Sequence, residues 1–83
     1  MKTHPHVVLV NNIPVIEGSK VPVHRVYSWR RQGTPIDTII RRYPQLGPAK
    51  IFDALAFAYD NLEFVTQKLI EERMSISKDD NPY

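Results

Sequence analysis

Ile13-Pro14-Val15-Ile16-Glu17-Gly18-Ser19-Lys20-Val21-Pro22-Val23 decides how this chain folds, because two Pro-Val pairs bracket a Gly-Ser turn and lead directly into a helix. Pro14 has no N–H to give a central ladder, so its strand must be an edge or part of a short ribbon. Pro22 needs no donor and suits the start of a helix, and Gly18 supplies the turn between. Just upstream, the short apolar runs 7–10 and 13–16 flank Asn11-Asn12, a pair that tolerates the positive φ angles of a tight hairpin turn. A small β-ribbon is therefore expected. Since an isolated hairpin is barely stable in water, its job is to cover the helices or to pair across a dimer.

Downstream the pattern is helical. Val23, Val26 and Tyr27 share one face of a first helix over about 23–32, stopped by Gly33, with Trp29 near the other side. Thr34-Pro35 reads as N-cap and first residue of a short second helix carrying Ile36, Ile39, Ile40 and Tyr43 inward and Arg41 and Arg42 at its end, where Pro44 closes it. After Gln45-Leu46-Gly47, Pro48 opens a third helix whose apolar stripe is Ile51, Leu55, Ala58, Leu62, Val65 and Leu69. That stripe fits one helix of about 25 residues or two joined near Asp60-Asn61, and the capping-box look of Asp60-x-x-Glu63 favours a break there. The fold class is mainly α with a short N-terminal β-hairpin, a helix-turn-helix of homeodomain-like or winged-helix-like type, and a C-terminal helix. Residues 1–73 form one domain, and the polar, aperiodic 74–83 forms a flexible tail.

Eighty-three residues with no cysteine make one small domain that neither disulfides nor thiolate-bound metal can staple. A homodimer is the expected remedy. The apolar run before Asn11 is too short for a signal peptide or a membrane span, so no membrane partner and a cytoplasmic location are expected. Net charge is only +2, yet it is split. From Lys20 to Lys50 seven basic residues face one acid, Asp37, whereas from Ile51 onward seven acids face three bases. A basic half attracts phosphate, and an acidic half suits a basic partner.

Little here points to catalysis. His4-Pro5-His6 could set two imidazoles on one side of an extended segment, with His24 joining them, but without cysteine or a neighbouring acidic ligand the expectation is no metal, no cofactor and no enzyme activity. No phosphate-cradling Gly-rich loop, zinc-protease helix or nucleophile elbow is present. Nucleic-acid binding is the better case. In a helix-turn-helix over 34–43 and 48 onward, Lys50 and Gln45 lie nearest the major groove, while Arg30, Arg31, Arg41 and Arg42 hold phosphates. The reading helix is poor in side chains that read base edges, and Asp53 would repel a phosphate it faced. Interleaved aromatics, Tyr27, Trp29 and Tyr43, could stack single-stranded nucleic acid, though Tyr27 and Tyr43 sit at core-like positions.

The segments Pro14-Val15-Ile16-x-Gly18-Ser19-x-Val21-Pro22-Val23, Gly33-Thr34-Pro35, Tyr43-Pro44-Gln45-Leu46 and Ile51-x-x-Ala54-Leu55-Ala56 resemble a prokaryotic family of small helix-turn-helix proteins, the domain-of-unknown-function family numbered four-three-three, often classed as VapB-like antitoxins. Asn12-Ile13 stands where that family usually has Gly-Lys, and Leu46-Gly47-Pro48-Ala49-Lys50 where it has an acidic first turn after Leu-Thr-Pro. The resemblance implies a DNA-binding fold that sits beside a PIN-like toxin. The leading expectation is thus an antitoxin that binds operator DNA through its basic half and a PIN-like ribonuclease toxin through its C-terminal region. Phe57, Leu62, Phe64, Val65 and Leu69 are the expected partner or dimer surface, and truncation after about Asn61 is expected to spare DNA binding. The alternatives are a stand-alone dimeric regulator and an interaction module that no longer binds DNA.

Overall fold

The structure, a computed structural model, describes residues 1–80, with side chains described as far as Met74. Strands β1 (Val7–Val10) and β2 (Ile13–Ile16) form a two-stranded antiparallel ribbon, followed by α1 (Val23–Arg31), α2 (Ile36–Arg42), α3 (Gly47–Asp60) and α4 (Leu62–Asp80). The mostly helical class with an N-terminal hairpin is as the sequence predicts.

Asn11 and Asn12 take φ of 52° and 65°, the paired left-handed conformation that a two-residue hairpin loop of matching twist demands. The register pairs Val7 with Ile16, Val8 with Val15, Leu9 with Pro14 and Val10 with Ile13. One step further, the Glu17 amide donates to the His6 carbonyl at 2.8 Å. Hydrogen-bonded pairs alternate along an antiparallel ladder, so Val8·Val15 and Val10·Ile13 exchange bonds and Leu9·Pro14 does not. Pro14 occupies a position where β1 asks for no N–H. On its other side β2 is closed by the Ile16 amide bonding to the Val21 carbonyl at 3.0 Å and by a bridge between Val15 and Pro22.

Gly18 turns the chain at φ 76°, and a Cβ there would come within 3.3 Å of the Lys50 amine. Pro22 is the residue before α1 rather than its first, with φ −70° and ψ 143°. Likewise Pro35, extended at φ −60° and ψ 146°, is the N-cap of α2, one residue later than the Thr34 cap predicted, and no side chain caps that helix. Its carbonyl accepts from both Thr38 and Ile39, which is how a proline with no N–H still starts a helix.

Ile16, Val23, Val26, Tyr27, Ile39, Leu46, Ile51, Ala54, Leu55, Phe57, Ala58, Val65 and Leu69 form one core, with Val7, Val21, Trp29, Ile36, Ile40, Tyr43 and Phe64 packed against it. The α3–α4 break falls where the sequence puts it, but the cap is Asn61, not Asp60. The Asn61 amide side chain donates to the Phe57 carbonyl at 3.0 Å and to the Lys2 carbonyl at 2.8 Å, and its Oδ1 accepts from the Lys2 amide at 2.8 Å. The Asp60 carboxylate is engaged by the N-terminal segment instead of forming a capping box.

This break corrects the expected partner surface. Beyond the break α4 packs on α1; Phe57 of α3 and Val65 and Leu69 of α4 are core residues, Phe64 is half-buried, and of the five only Leu62 is exposed. The backbone of α4 also continues to Asp80, into the segment 74–83 for which the sequence predicts no order, and residues 81–83 of that tail lie outside the described residues. Once nucleated, a helix without breakers extends at one hydrogen bond per residue, and this stretch offers no glycine or proline before Pro82.

Truncation after Asn61 therefore removes part of the core rather than a detachable partner segment. Leu69→Ala should destabilise the domain by about 2 to 5 kcal/mol in chemical denaturation, the range for a buried Leu deletion that leaves a cavity. The fragment 1–61 should show no cooperative unfolding transition by circular dichroism.

Candidate nucleic-acid interface

The arginines cluster at helix ends. Arg30 and Arg31 lie in the last turn of α1 and Arg41 and Arg42 in the last turn of α2, all exposed. Basic side chains there also complement the negative end of each helix dipole, so the positions are stabilising before any ligand is considered. What brings the two ends together is Trp29. Its Nε1 donates to the Tyr43 hydroxyl at 3.1 Å, and the Arg42 guanidinium lies over its ring, 4.1 Å from the centroid. Arg30 reaches across the connection to the Thr34 carbonyl at 3.2 Å, and Arg41 bonds the Thr38 hydroxyl at 3.2 Å. The aromatic that the sequence leaves unplaced is thus the post holding α2 against α1. Both its NH and one ring face are in use, and Tyr27 is buried, so neither offers an open stacking platform.

Gln45 is exposed in the connection between α2 and α3. Lys50 is not grouped with the arginines. Its amine donates to the Glu17 carbonyl at 3.0 Å and packs against Gly18, fixing the turn after the ribbon to the first turns of α3. That interaction was not legible in the sequence, since 33 positions separate the partners. Along the rest of the opening of α3, Pro48, Ala49 and Phe52 face outward, Phe52 more than half exposed. No acid lies in that first turn and no side chain caps it, which leaves its backbone N–H groups open.

Asp53, the residue expected to repel phosphate, is claimed from within the chain. Its Oδ1 lies 2.9 Å from His4 Nδ1, and its Oδ2 accepts from the His6 amide at 2.8 Å and lies 3.1 Å from His6 Nδ1. The opposite nitrogen of His4, Nε2, is 2.7 Å from Asp60 Oδ2. Both ring nitrogens of His4 thus face carboxylate oxygens, an arrangement that only the doubly protonated ring satisfies. Its pKa is accordingly raised above the ordinary 6.5, chiefly by the bond to Asp53 and then by that to Asp60. At Asp53 burial pushes the pKa up, but the bonds from His4 and from the His6 amide and ring outweigh it and hold the carboxyl below its usual range.

The histidines come together as far as His4 and His6 are concerned, but what they meet is Asp53 and Asp60, one helix face two turns apart. His24 lies elsewhere, buried between α1 and α4. Its Nε2 is 3.0 Å from Glu72 Oε2 yet out of line for a hydrogen bond, so neither ring nitrogen has a hydrogen-bond partner among the described residues. Burial lowers its pKa, with the Glu72 charge opposing. Glu72 is also held by Arg25 at 2.9 Å, a link that ties α4 to α1. Among the described residues no three His, Asp or Glu side chains are grouped to hold a metal ion, and no helix is long and apolar enough to cross a membrane.

Hairpin, helices and their order define a small, mainly helical domain with a basic edge where α1 and α2 end. A family model, protein of unknown function (DUF433), matches residues 11–58, and the chain belongs to that family. No curated protein and no solved structure matches the chain.

The two perturbed histidines make opposite demands on pH. His4, with its folded pKa raised, contributes stability that is complete below about pH 6.5 and is lost as pH rises through the raised value. His24, with its folded pKa lowered, contributes stability present above about pH 6.5 and lost as pH falls toward the lowered value. Thermal midpoints measured against pH should fall on both sides of that point. His4→Gln should flatten the alkaline limb, and His24→Phe the acid limb.

Proposed function

We propose that this protein is the antitoxin of a type II toxin-antitoxin pair, binding operator DNA through α2, the turn and α3 as a helix-turn-helix and neutralising a PIN-like ribonuclease toxin through its C-terminal region. The observation that carries the DNA half is the tie through Trp29, with Arg42 over its ring and Tyr43 on its NH, between the last turns of α1 and α2, the turns that bear Arg30, Arg31, Arg41 and Arg42. Phosphate contacts dominate the affinity of such interfaces, and four exposed guanidiniums with a single acid on the same two helices, Asp37, give the required field. The open N–H groups at the start of α3 add an anion-accepting end. With Asp53 turned to His4 and His6, the main electrostatic objection to α3 facing DNA is reduced.

Base-edge recognition would rest on Gln45 in the turn before α3 and on apolar contact from Ala49 and Phe52 of α3, since Lys50 is committed to the Glu17 carbonyl. That composition supports sequence-tolerant binding. The toxin half rests on the family resemblance together with the exposed face of α4. There Leu62, Ile70 and Met74 remain in solvent beside Glu63 and Glu71, an apolar stripe with acidic flanks suited to a basic partner.

Titration with labelled DNA from upstream of the coding region tests the first half. Arg41→Glu with Arg42→Glu should lower affinity at least tenfold and reduce the slope of log affinity against log salt, whereas unchanged affinity would remove these arginines from the interface. Co-expression with the product of the adjacent reading frame tests the second. Leu62→Glu with Ile70→Glu should abolish co-purification and growth rescue while the thermal midpoint stays near that of the unaltered protein. The exposed apolar start of α3 also favours a second reading, an interaction module that binds no DNA. Intact partner capture with no DNA affinity in the unaltered protein would select it.

A further inference from the structure

The ribbon is asymmetric. Pro14, Val15 and Ile16 of β2 are buried, whereas Val8, Leu9 and Val10 of β1 are each between 43 and 51 % exposed. The inner edge of β2 is closed by Val21 and Pro22, so the open edge of the ribbon is β1. Register fixes which groups it presents. Val8 and Val10 spend their backbone bonds on β2, leaving Leu9 with both N–H and C=O directed outward, and among the described residues no hydrogen bond is made by either. Val7 shares that outward parity, but its N–H is already given to the His4 carbonyl at 3.2 Å.

An edge of this kind is ordinarily blunted by charge, proline or a bulge. None is present on this strand. The whole ribbon from Val7 to Ile16 carries no Lys, Arg, Asp or Glu, so it has nothing with which to attract DNA or a charged protein segment. It is, however, complementary to itself. Set antiparallel about a two-fold axis through Leu9, the strand would exchange the two outward Leu9 bonds with Leu9 of a second copy, and Val8 would stand opposite Val10 of that copy on the other face. A register that set Leu9 opposite Val7 of the copy would require the Val7 N–H that His4 already holds. Aliphatic cross-strand pairs of this sort are favourable, and a four-stranded sheet removes the marginality of a lone hairpin.

We infer that β1 is the dimerisation edge of this protein, and that its occupant is β1 of a second copy, paired antiparallel with Leu9 at the axis. The contact is independent of the DNA and toxin readings, because strand parity and the uncharged edge carry it. It also differs from a dimer built on α4, which leaves β1 open.

Sedimentation equilibrium of the full chain without DNA tests it. The unaltered protein should have the mass of a dimer. Leu9→Pro removes only the outward N–H, and Leu9→Lys sets two like charges across the axis; each should halve the mass while the helical circular dichroism spectrum is kept. Should Leu9→Pro fail to fold, Leu9→Lys alone decides. Leu9→Cys, which would be the chain's single cysteine, should form a disulfide-linked dimer under mild oxidation, since opposed residues of a hydrogen-bonded pair lie at a Cα separation of about 5.5 Å. A monomeric unaltered protein, or a dimer that survives Leu9→Lys, would overturn the inference. Neither result bears on whether the arginine edge binds DNA.

Discussion

Everything in this domain is hung on one side of α1. Val23, Val26 and Tyr27 are buried there, and β2, α2, α3 and α4 all touch that helix. A chain of this length has room for a single core, and no cysteine is available to supplement it. The burial of three α1 side chains therefore sets the position of every other element. Because the opposite end of the helix is pinned to α2 through Trp29 and Tyr43, the core and the arginine edge are one mechanical unit.

Polar contacts then fix what the core leaves loose. Asn61 closes α3 and holds the N-terminal segment, while His4 and His6 lay that segment along the α3 carboxylates. His4 also meets Phe57 edge to face at 5.9 Å, so the strap covers part of the core as well as neutralising Asp53 and Asp60. Glu72 receives Arg25 and approaches His24, securing α4 against α1. Exposed ion pairs such as Arg25–Glu72 contribute little each. Their weight lies in selecting one packing of four short helices from several that would bury similar area.

Function follows from what these demands leave unused. Lys50, read from the sequence as a DNA contact, is spent on the Glu17 carbonyl, and Asp53, read as an obstacle, is spent on two histidines. The arginines remain in solvent because helix ends expose them, and the β1 edge remains because β2 satisfies only one side of it. A surface available for partners is here the remainder after folding, and linear charge patterns locate the basic half of the chain without showing which of its members are engaged within the domain.

The sequence by itself determined the hairpin, its Asn-Asn turn, the three helix starts near proline and the break near Asn61, because each depends on backbone chemistry acting over a few residues. It also determined the segregation of charge and the family to which residues 11–58 belong. Tertiary structure alone decided that α4 packs on α1 with Val65 and Leu69 in the core, since a stripe of apolar residues has the same spacing whether it meets its own domain or a partner. It alone decided the pairing of His4 and His6 with Asp53 and Asp60 and of Lys50 with Glu17. Those contacts join residues dozens of positions apart, and no local preference encodes which distant group a side chain will reach once the core has closed.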